Sequence, residues 1–141
     1  MKLVSTETLY VVLAVLAIVS GGCDRGAAPA DSAAAPEWRL ESLGETAVLD
    51  GTEITLTFGA DNSLAGSAGC NRFNAAYRRD GESLYVSALA LTRMACPTPG
   101  VMAQEQRFVE LLEAALRVGE ADGRLTIVSE TGPTTLTFVR P

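Results

Sequence analysis

The chain of 141 residues contains no histidine, and its only lysine is Lys2. Histidine is the commonest general base and metal ligand in proteins, so sites built on it are excluded. A serine–lysine catalytic pair is excluded as well once an N-terminal segment that carries Lys2 is removed. Carboxylate pairs remain open, for example Glu105 with Glu110 or Asp61 with Asp80. No spacing distinguishes these acids from a solvated surface, and we therefore expect no catalytic site and no cofactor.

Positive charge and aromatic residues are also scarce. The chain has 11 Lys and Arg residues against 17 Asp and Glu residues, which gives a formal net charge of −6. Nucleic acids and anionic lipid surfaces select proteins with basic patches. The acidic balance thus predicts that the protein binds no nucleic acid and does not dock on anionic lipid. Aromatic residues make up 6% of the chain, so leucine, valine and alanine must supply most of a modest core.

The N-terminus has the pattern of an export signal. An apolar run over residues 9–19 covers roughly half of a ~30 Å hydrocarbon core, which is too short to span a membrane. The tetrapeptide Ser20-Gly21-Gly22-Cys23 resembles a bacterial lipobox, although Ser20 stands where an aliphatic residue is usual. We expect residues 1–22 to be a lipoprotein signal peptide and Cys23 to be lipidated. The alternative is an ordinary secretory peptide cut near residue 22, which would leave Cys23 free.

A tether follows the proposed lipidation site. Residues 23–36 are rich in alanine and proline and lack apolar periodicity, as is typical of a flexible linker between an anchor and a domain. A multiply acylated Cys23 would hold the protein firmly on a bilayer. We therefore expect a membrane partner through Cys23, with the domain in the periplasm. Asp24 resembles an inner-membrane retention signal, and the choice between the inner and the outer membrane stays open.

Two of the three cysteines, Cys70 and Cys96, fall within the expected folded domain, residues 37–141. An exported domain lies in an oxidising compartment, where two cysteines allow one internal disulfide. A disulfide between Cys70 and Cys96 would close a loop of about 27 residues, which stabilises a fold by roughly 3–4 kcal/mol. The competing interpretation is a reactive or metal-binding pair. Metal needs more ligands than two thiols, and a redox pair is more often spaced Cys-x-x-Cys.

Several segments have the signals of antiparallel strands. Residues 53–58 alternate apolar and polar side chains, and residues 63–68 follow after a turn, with glycines that indicate close backbone approach. A hairpin is predicted from residues 73–79 and 82–88, because Asp80-Gly81 between them is a strong two-residue turn signal.

One helix is expected before the last strands. Thr98 is the predicted N-cap, Pro99 suits the first helical position, and Gly119 is the predicted C′ residue. Apolar residues recur at helical spacing in this segment: Val101, Met102, Phe108, Val109, Leu112, Ala115 and Leu116. Polar residues fall mostly on the opposite side: Gln104, Glu105, Arg107, Glu110 and Glu113.

The remaining predicted strands give the chain the element order of an α+β domain. A strand is predicted over residues 87–96, and two more over residues 124–129 and 134–139. Trp38 begins the ordered part and is expected to plug one end of the core. The order β-β-β-β-β-α-β-β predicts an antiparallel sheet with one late helix.

Three short motifs carry a resemblance to a known family. They are Gly69-Cys70-Asn71-Arg72-Phe73, Thr92-Arg93-Met94-Ala95-Cys96 and Met102-x-Gln104-Glu105-x-x-Phe108. From Trp38 to Val139 the chain resembles the META domain family, which includes the heat-shock lipoprotein HslJ. The resemblance implies a sheet curled into a partly closed barrel with the helix packed at one side.

The same resemblance implies a function without catalysis. It suggests a monomeric, lipid-anchored envelope lipoprotein that acts in stress tolerance or envelope maintenance through a protein partner. The alternative is a small-molecule binding module that uses the mouth of the barrel.

Asn71, Arg72 and Arg93 are the candidate ligand or partner surface. Asn71 would present its amide beside the disulfide, and the disulfide would bring the two arginines together as a site for an anion. The alternative is structural. Asparagine fixes bends through hydrogen bonds to nearby backbone, and both arginines would pair with acids such as Glu105 in a solvated network of small energetic value.

Overall fold

The computed structural model describes residues 35–131 and 134–141. The expected signal peptide, the lipidation site Cys23 and the tether up to residue 34 lie outside the described residues. Within these ranges, no helix combines the length and the apolar character needed to cross a bilayer. The elements are β1 (Glu37–Leu43), β2 (Thr46–Ala47), β3 (Glu53–Phe58), β4 (Ser63–Gly69), β5 (Arg72–Asp80), β6 (Ser83–Val86), β7 (Ala90–Leu91), α1 (Val101–Glu113), β8 (Ala115–Ala121), β9 (Arg124–Ser129) and β10 (Thr135–Val139).

The strands form one antiparallel sheet that closes on itself. Around the ring the order is β1, β3, β4, β5, β6, β8, β9 and β10, and β10 returns to β1, where Leu40 lies opposite Phe138. The short strands β2 and β7 pair with β1 and β5 beside the ring. This architecture confirms the expected α+β barrel with one helix packed against it.

The hydrogen-bonded ring is thinnest between β6 and β8, a boundary that we call the seam. One residue pair is in register there, Ser83 with Arg117, next to a 2.8 Å bond from the Val118 N–H to the Glu82 carbonyl. Between β8 and β9, in contrast, the pairing runs from one end of β8 to the other. Helix α1 packs against β4, β6 and β9, so it lies beside the seam.

Side chains from both the strands and the helix fill the barrel. Trp38 is 2% exposed, and the Arg140 guanidinium lies 5.0 Å from the centre of its ring. A 2.6 Å bond to Glu120 holds that arginine in place. Trp38 therefore lies buried in the core beneath Arg140, as the sequence predicts. The largest side chains without exposure are Phe108, Phe138, Ile54, Leu56, Leu64, Leu84, Leu111, Leu112, Ile127 and Leu136.

The start of α1 differs from the prediction. The N-cap is Gly100, which has a φ of 82° and makes no side-chain capping bond. Thr98 contributes its backbone carbonyl, which accepts a 3.3 Å bond from the Val101 N–H. The prediction of Thr98 as the N-cap is wrong because a tight turn through Pro99 and Gly100 separates it from the first helical residue.

The end of α1 differs more. Ala114 is the C-cap, and the chain continues directly into β8, Ala115–Ala121. The Ala114 carbonyl accepts bonds from the Glu130 N–H at 2.8 Å and the Ser129 hydroxyl at 3.3 Å. Because Ser129 of β9 and the next residue, Glu130, bind this carbonyl, the chain enters the sheet here. The prediction that the helix extends to Gly119 is therefore wrong. Three strands, and not two, follow the helix.

The apolar stripe predicted for the helix is also corrected. Met102 and Leu116 were expected to widen it, but their side chains are 49% and 43% exposed. Glu105, which was expected on the polar side, is 5% exposed. Leu116 lies in a strand at a register irregularity of β8, so the helical period does not apply to it.

The other predicted strands have mixed outcomes. β3, β4, β9, β10 and the β5–β6 hairpin are confirmed to within a few residues, and Gly81 turns the hairpin with a φ of 58°. The predicted strand over residues 87–96 is reduced to β7, Ala90–Leu91, which pairs with Asn74 and Phe73. Beyond Leu91 the strand pairing ends, because the Thr92 hydroxyl and the Met94 N–H donate to the side chain of Asn71.

The turn between β3 and β4 is closed by Asp61. Its carboxylate accepts bonds from the Ser63 hydroxyl and, at 3.2 Å, from the Ser63 N–H. These two hydrogen bonds stabilise the charged form, and they lower the pKa of Asp61 below its ordinary value.

Gly66 lies where the backbone of β4 closely approaches the backbone of β3. A Cβ at this position would overlap the Thr55 carbonyl group on β3. Gly119 offers a matched contrast within another strand, because a Cβ there would lie 3.4 Å from the Thr126 hydroxyl, an ordinary contact.

We expect the substitution Gly66→Ala to lower the free energy of unfolding by about 2 kcal/mol, because the added methyl group must push two strands apart. The control Gly119→Ala should change it by less than about 1 kcal/mol. Urea unfolding followed by Trp38 fluorescence measures both values. Equal losses in the two variants would contradict the close approach.

Candidate functional site

The predicted disulfide is present. Cys70 and Cys96 are bonded, with 6.2 Å between their Cα atoms and a sequence separation of 26. Cys70 lies at the corner between β4 and β5, and Cys96 lies in the connection from β7 to α1. The bond therefore joins the first two family motifs at one place, and the third motif reaches the same place from the helix.

Asn71 is the centre of this arrangement. Its backbone N–H donates to Oε2 of Glu105 at 2.7 Å, and its side-chain Nδ2 donates to Oε1 of Glu105 at 2.8 Å. Asn71 is 3% exposed. The two bonds satisfy both oxygens of a buried carboxylate, which would be costly to bury without partners.

The side-chain and backbone oxygen atoms of Asn71 also accept hydrogen bonds. Oδ1 accepts a 2.9 Å bond from the Thr92 hydroxyl and a 2.7 Å bond from the Met94 N–H. The backbone carbonyl accepts a 2.7 Å bond from the Ala68 N–H. We name the set Asn71, Thr92, Met94 and Glu105 the Asn71 junction. It ties the β4–β5 corner, the segment before Cys96 and the helix to one side chain.

Gln104 makes a second attachment one residue earlier on the helix. Its Oε1 accepts a 2.7 Å bond from the Leu49 N–H, and its Nε2 donates to the Thr52 hydroxyl at 3.0 Å. The Gln104-Glu105 pair therefore holds two separate parts of the barrel. The sequence prediction placed both residues on the polar side of the helix and missed both attachments.

The structure brings Arg72 and Arg93 to the same region. The Arg72 N–H donates to the Thr92 hydroxyl at 3.1 Å, and the Thr92 N–H donates to the Arg72 carbonyl at 3.0 Å. Both arginines are exposed. The expected ion pair with Glu105 is wrong, because that carboxylate is buried and bonded to Asn71. Neither arginine forms an ion pair within residues 35–131 and 134–141.

The carboxylate pairs left open by the sequence are engaged separately. Glu110 is exposed and contacts Arg107 at 3.6 Å, whereas Glu105 is buried. Asp61 is bonded to Ser63 in its own turn. Among the described residues, no group of three or more histidine, cysteine or acidic side chains could hold a metal ion. In the same residues, every buried side-chain nitrogen and oxygen has a hydrogen-bond partner.

An open groove lies at one end of the barrel, beside helix α1. It has a volume of about 930 Å³ and runs between the turn after β1 and the first half of α1. We name it the β2–α1 groove. Leu43, Ala47, Leu49 and Ala103 supply apolar surface, and Glu45 and Arg107 supply charges of opposite sign. The end of β1 and the residue before β10 both line the groove.

The burial of Glu105 could have been found from the sequence. Val101, Glu105, Phe108 and Leu112 follow each other at spacings of four, three and four residues, which places the acid in line with the apolar stripe. A charged residue in such a stripe needs a buried partner. Which residue supplies that partner depends on a contact across the fold, from Asn71.

We expect Asn71→Asp to lower the free energy of unfolding by about 3 kcal/mol or more at pH 7, because two carboxylates would then face each other in a buried site. The loss should shrink as the pH falls toward 5, since a shared proton restores a hydrogen bond between the two groups. The control Asn74→Asp places the same change at an exposed position of β5 and should have little effect. Urea unfolding at several pH values measures the difference.

A small, pH-independent loss in Asn71→Asp would contradict the role of the junction. Asn71→Ala provides a second check. It removes Nδ2 and Oδ1 without adding a charge, so its loss at pH 7 should be smaller than that of Asn71→Asp.

Comparisons with known proteins agree with this architecture. Residues 31–141 match the family model of the META domain. No curated relative matches the chain significantly. A protein solved by NMR is similar with a TM-score of 0.61 and 28% identity, over 74% of this chain and 88% of that one. An NMR structure of a protein from Burkholderia xenovorans is similar with a TM-score of 0.61 and 28% identity, over 77% of this chain and 83% of that one. Since the family model spans most of the sequence, the chain belongs to the META domain family.

Proposed function

We propose that the protein is a non-catalytic envelope lipoprotein, anchored through Cys23, whose domain acts in stress tolerance or envelope maintenance by binding a protein partner. The observation that carries this proposal is the Asn71 junction. Four polar residues of the family motifs, Asn71, Thr92, Gln104 and Glu105, use their side chains in hydrogen bonds within the molecule. Glu105 and Asn71 are 5% and 3% exposed. These residues stabilise the fold. A partner must therefore bind to exposed residues.

Arg72 and Arg93 are the proposed partner surface. Both are exposed and lie on segments that hydrogen-bond to each other beside the disulfide. A rigid support costs a surface little ordering entropy on association. Two arginines that form no ion pair with described residues favour a partner with carboxylate groups. Asn71 takes part only indirectly, because its side chain is buried and holds this support together.

Small-molecule binding is the second candidate, and the β2–α1 groove favours it. The groove is large enough for a small ligand, and it combines apolar surface with the guanidinium group of Arg107 and the carboxylate of Glu45. The interior of the barrel is filled by core side chains, so a ligand would bind outside it.

The proposed lipid anchor at Cys23 is tested by the intact mass of the protein extracted from native membranes. We expect the mass of residues 23–141 plus three acyl chains or a diacylglyceryl group, and a rise of two hydrogens on reduction. An unlipidated mass would contradict the anchor at Cys23. A mass that is unchanged by reduction would contradict the disulfide.

The two candidate functions are separated by photo-crosslinking in intact cells. A photoreactive residue at Arg93 should form a defined adduct with a protein, and the same residue at Asp122, an exposed turn position, should not. The charge reversal Arg72→Glu should abolish the adduct. If position 93 gives no adduct and a metabolite raises the Tm of the protein but not of an Ala103→Trp variant, the groove is the functional site.

A further inference from the structure

The disulfide and the Asn71 junction form one closed unit. Cys70 directly precedes Asn71, and Cys96 ends the segment whose Thr92 and Met94 bind the Asn71 side chain. The covalent bond therefore closes a ring that the hydrogen bonds also close. Within this ring, the position of Asn71 decides whether Glu105 keeps its partners.

Helix α1 is tied to the barrel mainly through the loop that this disulfide closes. Glu105 accepts from Asn71, and Glu113 accepts a 2.6 Å bond from the Leu89 N–H, so both acids bond to residues between the two cysteines. The remaining side-chain tie from the helix to the barrel, Gln104 to the 49–52 loop, lies at the first turns of the helix. The second half of α1 is held by Glu113, by apolar packing and by the Ala114 carbonyl at its C-cap, which accepts bonds from Glu130 and Ser129.

The seam makes the fold sensitive to the position of this helix. β6 and β8 share one pair in register, and α1 packs against β6 on one side while the chain enters β8 on the other. Phe108 of the helix contacts Phe73 of β5, with 5.6 Å between the ring centres. A shift of α1 would uncover Phe73 on β5, the strand next to β6.

The disulfide is within reach of solvent. Cys70 and Cys96 are both partly exposed, and residues 92–95 before Cys96 are exposed, with Met94 54% exposed. A thiolate reductant can approach such a bond, whereas it cannot approach a disulfide in a core.

We propose that the Cys70–Cys96 disulfide is a redox-sensitive latch that controls the docking of helix α1 against the seam. A dithiol reductant donates two electrons and two protons. The sulfur–sulfur bond breaks, each cysteine sulfur takes up one proton, and the dithiol becomes a disulfide. The segment over residues 92–96 then leaves Asn71, Glu105 loses the geometry of its partners, and α1 moves away from β6. This regulation goes beyond the proposed function and does not depend on the anchor at Cys23.

Hydrogen exchange on the domain over residues 35–141 tests the latch. This range contains the ten strands and the helix that the described residues form, and a similar solved protein matches this chain over 88% of its own length. After reduction with dithiothreitol, amide exchange should rise about tenfold or more in residues 83–86 and 101–113. Peptides from β1, β3 and β10 should keep their exchange rates.

Two variants keep the result interpretable. Asn71→Ser, with the disulfide intact, should show the same regional rise, because the latch acts through Asn71. The double variant Cys70→Ser with Cys96→Ser should exchange like the reduced protein and should not respond to dithiothreitol. If reduction leaves residues 101–113 protected, or if exchange rises equally in every strand, the latch is wrong and the disulfide stabilises the domain as a whole.

Discussion

Glu105 carries an ionisable carboxyl group into the contact between the helix and the barrel, where it is 5% exposed. A buried charge is tolerated only when hydrogen bonds replace the water that it has lost. Asn71 supplies those bonds with a backbone and a side-chain donor, and this pairing fixes both the rotation of α1 and its height above the barrel. Apolar packing around Phe108 alone would permit several arrangements, whereas a two-point hydrogen bond permits one.

The family motifs are therefore features of architecture. Asparagine supplies donors and acceptors on opposite sides of one short side chain, and it uses them for the helix and for the segment before Cys96. The disulfide adds a covalent constraint at the same corner. A domain built this way holds its shape without depending on its outer surface. Family members can then carry different surfaces on the same frame, which is why the fold says little about the partner.

Sequence patterns predict the parts of this fold that depend on local signals. β3 follows from alternation, and the β5–β6 hairpin follows from Asp80-Gly81. The end of the helix does not, because Ala115 and Val118 fit a helical stripe as well as a strand, and the bond from Glu130 to Ala114 decides between them. The burial of Glu105 likewise depends on a partner that is distant in the sequence. Cys70, Asn71 and Cys96 lie together as predicted, but the hydrogen bonds of Asn71 come from contacts that no local pattern contains.

The pairing of β1 with β10 has a consequence for how the domain is made. The first strand of the ring finds one of its two neighbours in the last, with Arg39 opposite Val139. During synthesis the barrel cannot close until β10 is free to pair, so one edge of β1 has no partner until then. Such long-range pairing slows folding and lengthens the time during which the chain is open to aggregation. The chain is thus most open to aggregation with other chains until β10 is available to pair with β1.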